Sequence, residues 1–245
     1  MKKGLIIGKG WLGSRLEEHL AKHYQITSTK RQSDAPNCLS INFDQTSEQS
    51  IDSSIFEFII LTIPFGKRNT TDELRFRFDQ IIHFIGEYNG PLFLISSTGI
   101  YPDLEKTITE NTLEERELNQ PYYFIENKLQ ANYPQLTILR LGGLMGDNRR
   151  LSNYLSLDHP HLNQVVNHIH FEDVCRIIAQ LIQQNKTSTI YNIVAPEHPT
   201  KEEVLTYQIQ KKTIYSEIKK GKTVLSDKLI IELNYQFIFP NPLYY

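Results

Sequence analysis

Apolar positions along the chain change their spacing in a regular way. Leu5, Ile6 and Ile7 form a short continuous run of strand type. Leu16 and Leu20 then fall at helical spacing, and residues 24–28 return to a strand pattern. Residues 38–44 alternate and predict a third strand with Asp44 at its end. Residues 57–63 are apolar almost throughout, which suits a parallel strand buried on both faces. Pro64 stops further pairing. Leu74, Phe78, Ile81, Ile82 and Ile85 put one apolar face on a helix over 69–87. Gly90 and Pro91 turn the chain into a strand at 92–96. Further on, the pattern predicts a helix over 121–132, a strand at 136–141, a helix over 172–184 and a strand at 189–194. Thr200 and Glu203 form a capping box that opens another helix. Strands alternating with helices predict an α/β, Rossmann-type, doubly wound parallel sheet. Residues 1–145 carry most of it. Residues 146–245 supply the last strand, interleaved with a small C-terminal lobe that is not clearly separate.

The first strand runs straight into Gly8, Gly10 and Gly13, spaced G-x-G-x-x-G, and a helix follows. That is the setting of a dinucleotide-binding turn. Gly8 lets the chain leave the strand tightly. Gly10 has no Cβ, so a pyrophosphate can lie against it, and Gly13 lets helix and strand pack closely. Helix N–H groups near Trp11 and Leu12 would face the phosphates. The competing reading is a Gly-rich β–α turn without a ligand. Where an NAD site usually carries an acid for the ribose, the sequence reads Ser28-Thr29-Lys30-Arg31, with no acid before Asp34. Lys30, Arg31 and the Thr29 hydroxyl would welcome a 2′-phosphate, so NADP(H) is expected over NAD(H). A solvated basic turn is the alternative. Ligands of such sheets lie beyond the strand C-termini. The glycine turn, Thr29 to Arg31, Thr62, Ile63, Pro64 and Ser96 to Thr98 should therefore share one rim. This assigns Gly8, Gly10, Trp11, Leu12, Gly13, Thr29, Lys30, Arg31, Thr62, Ile63, Pro64 and Ser96 to the cofactor.

Composition narrows the class. The chain has 245 residues, 40% hydrophobic and 22% charged, with a net charge of −2. Its Lys and Arg are scattered, which argues against a nucleic-acid surface. No run nears the ~20 apolar residues of a membrane span, and the N-terminal apolar stretch is too short for a signal peptide. Cys38 and Cys175 are isolated, which fits a reducing cytoplasm better than a disulfide scaffold or zinc site. His159, His161, His168 and His170 show H-x-H spacing, but only Glu172 and Asp173 sit at companion spacing, so no metal is expected and a packed or hydrogen-bonded strand pair is the reading. The aromatic end, 235–245, reads as a lid or dimer surface. A monomer or homodimer working on a small-molecule substrate is expected.

Several segments together resemble the extended short-chain dehydrogenase/reductases of the NAD-dependent epimerase/dehydratase type. Besides the glycines, Ser96-Ser97-Thr98-Gly99-Ile100-Tyr101 resembles "SSTxVYG", and Ile108-Thr109-Glu110 resembles the "TE" after it. Arg140 to Gly146 resembles "RLxxIYGP", His170 to Val174 "HVxDV", and Ile190 to Ile193 "xYNV". Gly221, Lys222 and Ser226, with Leu233-Asn234-Tyr235, resemble an atypical bacterial subgroup, the YeeZ-like proteins. The matches come in order and span nearly the whole chain.

The resemblance implies a hydroxyl, a tyrosine and a lysine, the last two as Y-x-x-x-K on one helix face. The tyrosine is the acid/base, and the lysine lowers its pKa and holds the nicotinamide ribose. Counted from Tyr101, Ser97 falls on the hydroxyl position, Lys128 on the lysine position, and Phe124 on the tyrosine position. Tyr122 and Tyr123 lie one or two residues off, and Tyr101 is another phenol near the rim. Ser97, Lys128 and Tyr101 are thus the catalytic candidates, with Lys128 also a cofactor ligand. Ser97 also reads as a turn residue and Lys128 as a solvated helix lysine. Arg149 is a candidate for a substrate phosphate or carboxylate, or else part of a solvated basic loop. The resemblance implies an NADP(H)-binding oxidoreductase or epimerase/dehydratase acting on a small polar, sugar-like substrate. Phe124 keeps open a catalytically inactive sensor or regulatory protein.

Overall fold

The strand signals condense into one seven-stranded sheet in the computed structural model, which describes residues 1–66 and 69–245. The first five strands are β1 (Lys3–Ile7), β2 (Gln25–Lys30), β3 (Cys38–Ser40), β4 (Phe58–Leu61) and β5 (Leu92–Ser97). They are followed by β6 (Thr107–Ile108), β7 (Thr137–Leu141), β8 (Gly143–Met145), β9 (His168–His170), β10 (Ile190–Ile193) and β11 (Thr223–Val224). The sheet order is β10-β7-β5-β4-β1-β2-β3, with every pairing parallel. After β3 the chain crosses back over β1 to start β4. The order therefore reverses between β1 and β4, the place where doubly wound sheets open a crevice for ligands. In the register, Ile7 stands opposite both Thr29 and Leu61, so β1, β2 and β4 end level at that crevice.

Two helical layers cover the sheet. Helices α1 (Trp11–Leu20) and α4 (Phe171–Gln183) press Leu16, Leu20, Val174, Ile178 and Leu181 against Ile6, Phe58 and Ile60. On the other face, α2 (Thr71–Ile85) and α3 (Gln120–Asn132) press Phe78, Ile81, Ile125 and Leu129 against Leu5, Ile7, Ile59 and Leu61. Alternate residues of β1 and β4 feed opposite layers, which is why those strands read as unbroken apolar runs. The helix expected over 69–87 is trimmed by its caps. Thr70 and Glu73 form a capping box, and Gly86 leaves the helix at φ +64°.

The third strand is shorter than its alternation suggests. Ile41 N–H makes the last ladder bond, to the Lys30 carbonyl. Ile41 and Phe43 then turn into the α2/α3 layer, and this movement delivers Asp44 to the rim. Two small parallel pairs, β8 with β9 and β6 with β11, build the region beyond the strand C-termini. Helix α5 (Lys201–Gln210) carries the capping box expected at Thr200 and Glu203, and α6 (Asp227–Leu233) packs beside β10. The aromatic tail straps onto the core. Asp173, fully buried, accepts from the Tyr235 hydroxyl at 2.7 Å, Ile238 N–H at 2.9 Å and Phe239 N–H at 3.0 Å. No helix among the described residues is long and apolar enough to cross a membrane.

Candidate functional site

The glycine turn is held from both flanking strands. Gly8 N–H donates to Thr29 Oγ1 at 3.1 Å, and Thr62 Oγ1 donates to the Gly8 carbonyl at 2.5 Å. Gly8 has φ +106°, a conformation that favours glycine. A Cβ on Gly13 would fall far inside contact distance of the Gly8 carbonyl oxygen, so helix and turn touch there. Gly10 is different: a Cβ on it would meet nothing within 4 Å. Internal packing thus accounts for two of the three glycines. The third faces open space at the start of α1, where no side chain caps the helix and no acid sits in the first turn. The turn therefore fits a phosphate-bearing ligand, with Trp11 and Leu12 N–H groups as donors. The Thr29 hydroxyl, expected to meet a 2′-phosphate, is instead 1% exposed and spent on positioning Gly8.

Beside the turn lies a cavity of about 360 Å³ lined by Gly8 to Gly10, Thr29 to Arg31 and Thr62 to Pro64. Ile41 and Phe43 supply apolar wall, and Asp44 and Arg77 supply charge. Asp44 receives Arg31 Nη2 at 2.6 Å on one oxygen and Arg77 Nε at 2.6 Å on the other. The cavity joins segments that the sequence reading grouped on one rim. Arg77 was not foreseen, because on the helical pattern it lies beside the apolar stripe and 33 residues from Asp44. Asp44 carried a weak signal as the acid ending the third apolar stretch.

A second cavity, of about 540 Å³, lies beyond β5 and is bordered by Phe65, Asn69, Gly99, Tyr122, Asp103 and Lys222. Tyr122, not residue 124, turns its phenol here. A Cβ on Gly99 would sit 3.2 Å from Ser97 Oγ and 3.5 Å from the Tyr122 hydroxyl, so the two oxygens flank the same point. Tyr122 also packs edge-on against Phe65. One turn along, Glu126 takes the place expected for a lysine. It is 2% exposed, receives Ser96 Oγ at 2.5 Å and forms a bidentate pair with Arg140.

Several expected site residues are placed otherwise. Phe124 and Lys128 face α2, where Lys128 Nζ pairs with Asp79 at 2.6 Å and Arg75 lies over the Phe124 ring. Lys128 is thus held away from the rim by the two-residue offset, a rotation of about 200° around the helix. The Ser96 hydroxyl is consumed by Glu126 and is 4% exposed. Tyr101 is 2% exposed, with its hydroxyl between Asn192 Oδ1 at 2.7 Å and Arg140 Nη1 at 3.0 Å. Burial raises its pKa against the pull of Arg140. It is a structural phenol rather than a free acid/base. Ser97 keeps its turn role, accepting from Gly99 N–H at 3.0 Å, and remains beside Tyr122. Arg149 stacks over Trp11, 4.1 Å from the ring centroid, and does not line the larger cavity. His170 caps α4 and stacks on Phe239 at 3.7 Å.

Lys222, from the loop before β11, reaches the larger cavity, bonding the Tyr101 carbonyl at 2.5 Å and Asp103 at 3.3 Å. Its candidate role was not foreseen, although Gly221 and Lys222 carried part of the subgroup resemblance.

A parallel sheet that reverses at a glycine turn is the Rossmann-type, doubly wound α/β fold, and here a Ser and a Tyr stand over the end of β5. No family model matches the chain. It resembles Protein YeeZ of Escherichia coli strain K12, at 27% identity over 99% of this chain and 98% of the relative. Among solved structures, a candidate NAD-dependent epimerase/dehydratase from Methylobacillus flagellatus superposes with a TM-score of 0.77 at 22% identity, over 98% of this chain and 94% of that one. The human epimerase family protein SDR39U1, solved with NADPH, gives 0.71 at 15% identity, over 98% and 96%. UDP-glucuronic acid 4-epimerase from Bacillus cereus, solved with NAD, gives 0.72 at 13% identity, over 98% and 94%.

Proposed function

We propose that the chain binds NADP(H) across the glycine turn and acts as an oxidoreductase or epimerase/dehydratase on a small polar, sugar-like substrate held in the larger cavity. The observation that carries this reading is the outward-facing Gly10 beside a cavity whose far wall is basic. Trp11 and Leu12 N–H groups would receive the diphosphate, and Lys30 and Arg31 the 2′-phosphate. Thr62, Ile63 and Pro64 would border the cofactor. When bound, the nicotinamide would supply or accept hydride. Tyr122 would move a proton to or from the substrate oxygen, and Ser97 would steady that oxygen. Two buried, unbridged cysteines are in keeping with a reducing cytoplasm.

A second reading is favoured by Glu126. With a carboxylate in the lysine's place, the chain would bind the dinucleotide as a sensor without turning over a substrate. Titration of the purified protein with NADPH, NADP⁺, NADH and NAD⁺, with Arg31→Ala in parallel, tests both readings at their shared root. NADP(H) binding that weakens in the variant supports the assignment. NAD(H) preference overturns the 2′-phosphate part, and no binding to any of the four overturns the dinucleotide reading. A carbonyl panel with NADPH then separates enzyme from sensor.

A further inference from the structure

We propose that Arg77 is a specificity-determining residue of the smaller cavity: together with Arg31 it grips the 2′-phosphate of a phosphorylated adenosine, both guanidinia being aimed by the one carboxylate of Asp44. This rests on the dinucleotide reading and adds a residue from the opposite wall. Arg77 comes from α2, while Lys30 and Arg31 come from β2 and the turn after it.

Arg77 is 8% exposed. Its neighbours on α2, Leu74, Phe78 and Ile81, are locked into the core, so the helix cannot turn its guanidinium out to water. Nε bonds Asp44 at 2.6 Å, and Nη1 reaches toward the Pro64 carbonyl at 3.4 Å. Among the described residues Nη2 has no partner. Across the cavity Arg31 Nη2 takes the other Asp44 oxygen. Lys30, Arg31 and Arg77 thus share the cavity with a single carboxylate.

Two consequences follow from that arrangement. Arg77 is neutralised by Asp44, which leaves Lys30 and Arg31 as surplus positive charge around the cavity for an anion to complement, and planar guanidinium forks match phosphate oxygens. An unphosphorylated ribose, by contrast, needs a free carboxylate to accept its 2′-hydroxyl. Each Asp44 oxygen already accepts from one arginine, so the carboxylate's charge is matched by two guanidinia. No acid stands at the end of β2 to take that hydroxyl, and Asp44, from beyond β3, serves as the hinge of a two-arginine jaw.

The test is calorimetric titration of the full chain with NADPH, NADH and 2′-AMP, comparing wild type, Arg77→Gln and Arg77→Lys. Arg77→Gln is expected to weaken NADPH and 2′-AMP at least about tenfold and leave NADH within about twofold. Arg77→Lys keeps the charge without the fork and should lose NADPH affinity several-fold. It also serves as the measurement if the glutamine variant fails to fold. A folded variant with an unchanged ratio of NADPH to NADH affinity overturns the role of Arg77 while leaving dinucleotide binding intact. A wild type that favours NADH overturns it together with the 2′-phosphate assignment. Wild type that binds neither dinucleotide overturns the parent reading instead.

Discussion

Gly10 and Gly13 sit three residues apart in one motif, yet the structure separates their jobs, and alanine at each should fail in a different assay. At Gly13 an added Cβ meets the Gly8 carbonyl, a backbone atom that cannot swing away. Overpacking of this kind costs about 1–3 kcal/mol, which for a chain of this size lowers Tm by about 2–12 °C. At Gly10 the added Cβ meets nothing, and the backbone lies at φ −91°, open to any residue. Losing the preferred glycine at this N-cap costs under about 1 kcal/mol, or at most about 4 °C. Binding shows the reverse order of interest. NADPH at 100 times its Kd should stabilise wild type by about 2.7 kcal/mol, a rise of about 5–11 °C. On the proposed binding, Gly10→Ala puts a methyl in the space assigned to the diphosphate and should abolish most of that rise. Thermal melts of wild type and both variants, with and without NADPH, read all of this together. A Gly10→Ala protein that melts near wild type and keeps the full ligand-induced rise would refute the assignment of that space to a diphosphate.

Other outcomes follow from the same geometry. Tyr122→Phe should lower NADPH turnover on a carbonyl panel at least about a hundredfold, whereas Phe124→Tyr and Lys128→Ala should leave it unchanged, because residues 124 and 128 face α2. Equal loss in Tyr122→Phe and Lys128→Ala would sink this helix register. His168 has its pKa lowered to about 4, chiefly by burial, with Lys201 adding to it. It folds neutral, so its contribution is complete above pH 6.5 and is lost as pH falls toward 4, by up to about 3 kcal/mol. Urea midpoints at pH 7 and 4.5 should therefore converge in His168→Gln relative to wild type; an identical pH dependence would count against it. Asp173→Asn exchanges an acceptor oxygen for a donor in a fully buried three-bond clamp. It should cost about 1–3 kcal/mol and expose residues 235–245 to limited proteolysis. Unchanged cleavage there would show that the tail is held by its aromatic contacts alone.

The fold was legible wherever a local rule has no competitor. An apolar run, a glycine turn and a helical stripe each depend on neighbours within a few residues, so the α/β order and the rim of strand ends could be read directly. Local reading stretched β3 because alternation at 38–44 looks the same whether Ile41 and Phe43 enter a ladder or sink under a helix. The catalytic frame failed for a related reason. Counting from Tyr101 assumes a fixed loop length between β5 and α3, but the rotation of α3 is set by which residues its packing buries. Ile125 and Leu129 take the core, Glu126 finds Arg140, and Tyr122 is left over the end of β5.

By itself, the sequence determined the strand–glycine turn–helix unit and the basic end of β2, because a turn without Cβ atoms and a run without acids are properties of adjacent residues. Tertiary structure alone decided which charges meet and which phenol is free. Arg77 reaches Asp44 across 33 residues, and Tyr101 spends its hydroxyl on Asn192, 91 residues away. Such pairings are chosen by the sum of packing over two helical layers and a sheet, and a buried charge or hydroxyl takes whatever partner that packing brings within hydrogen-bond reach.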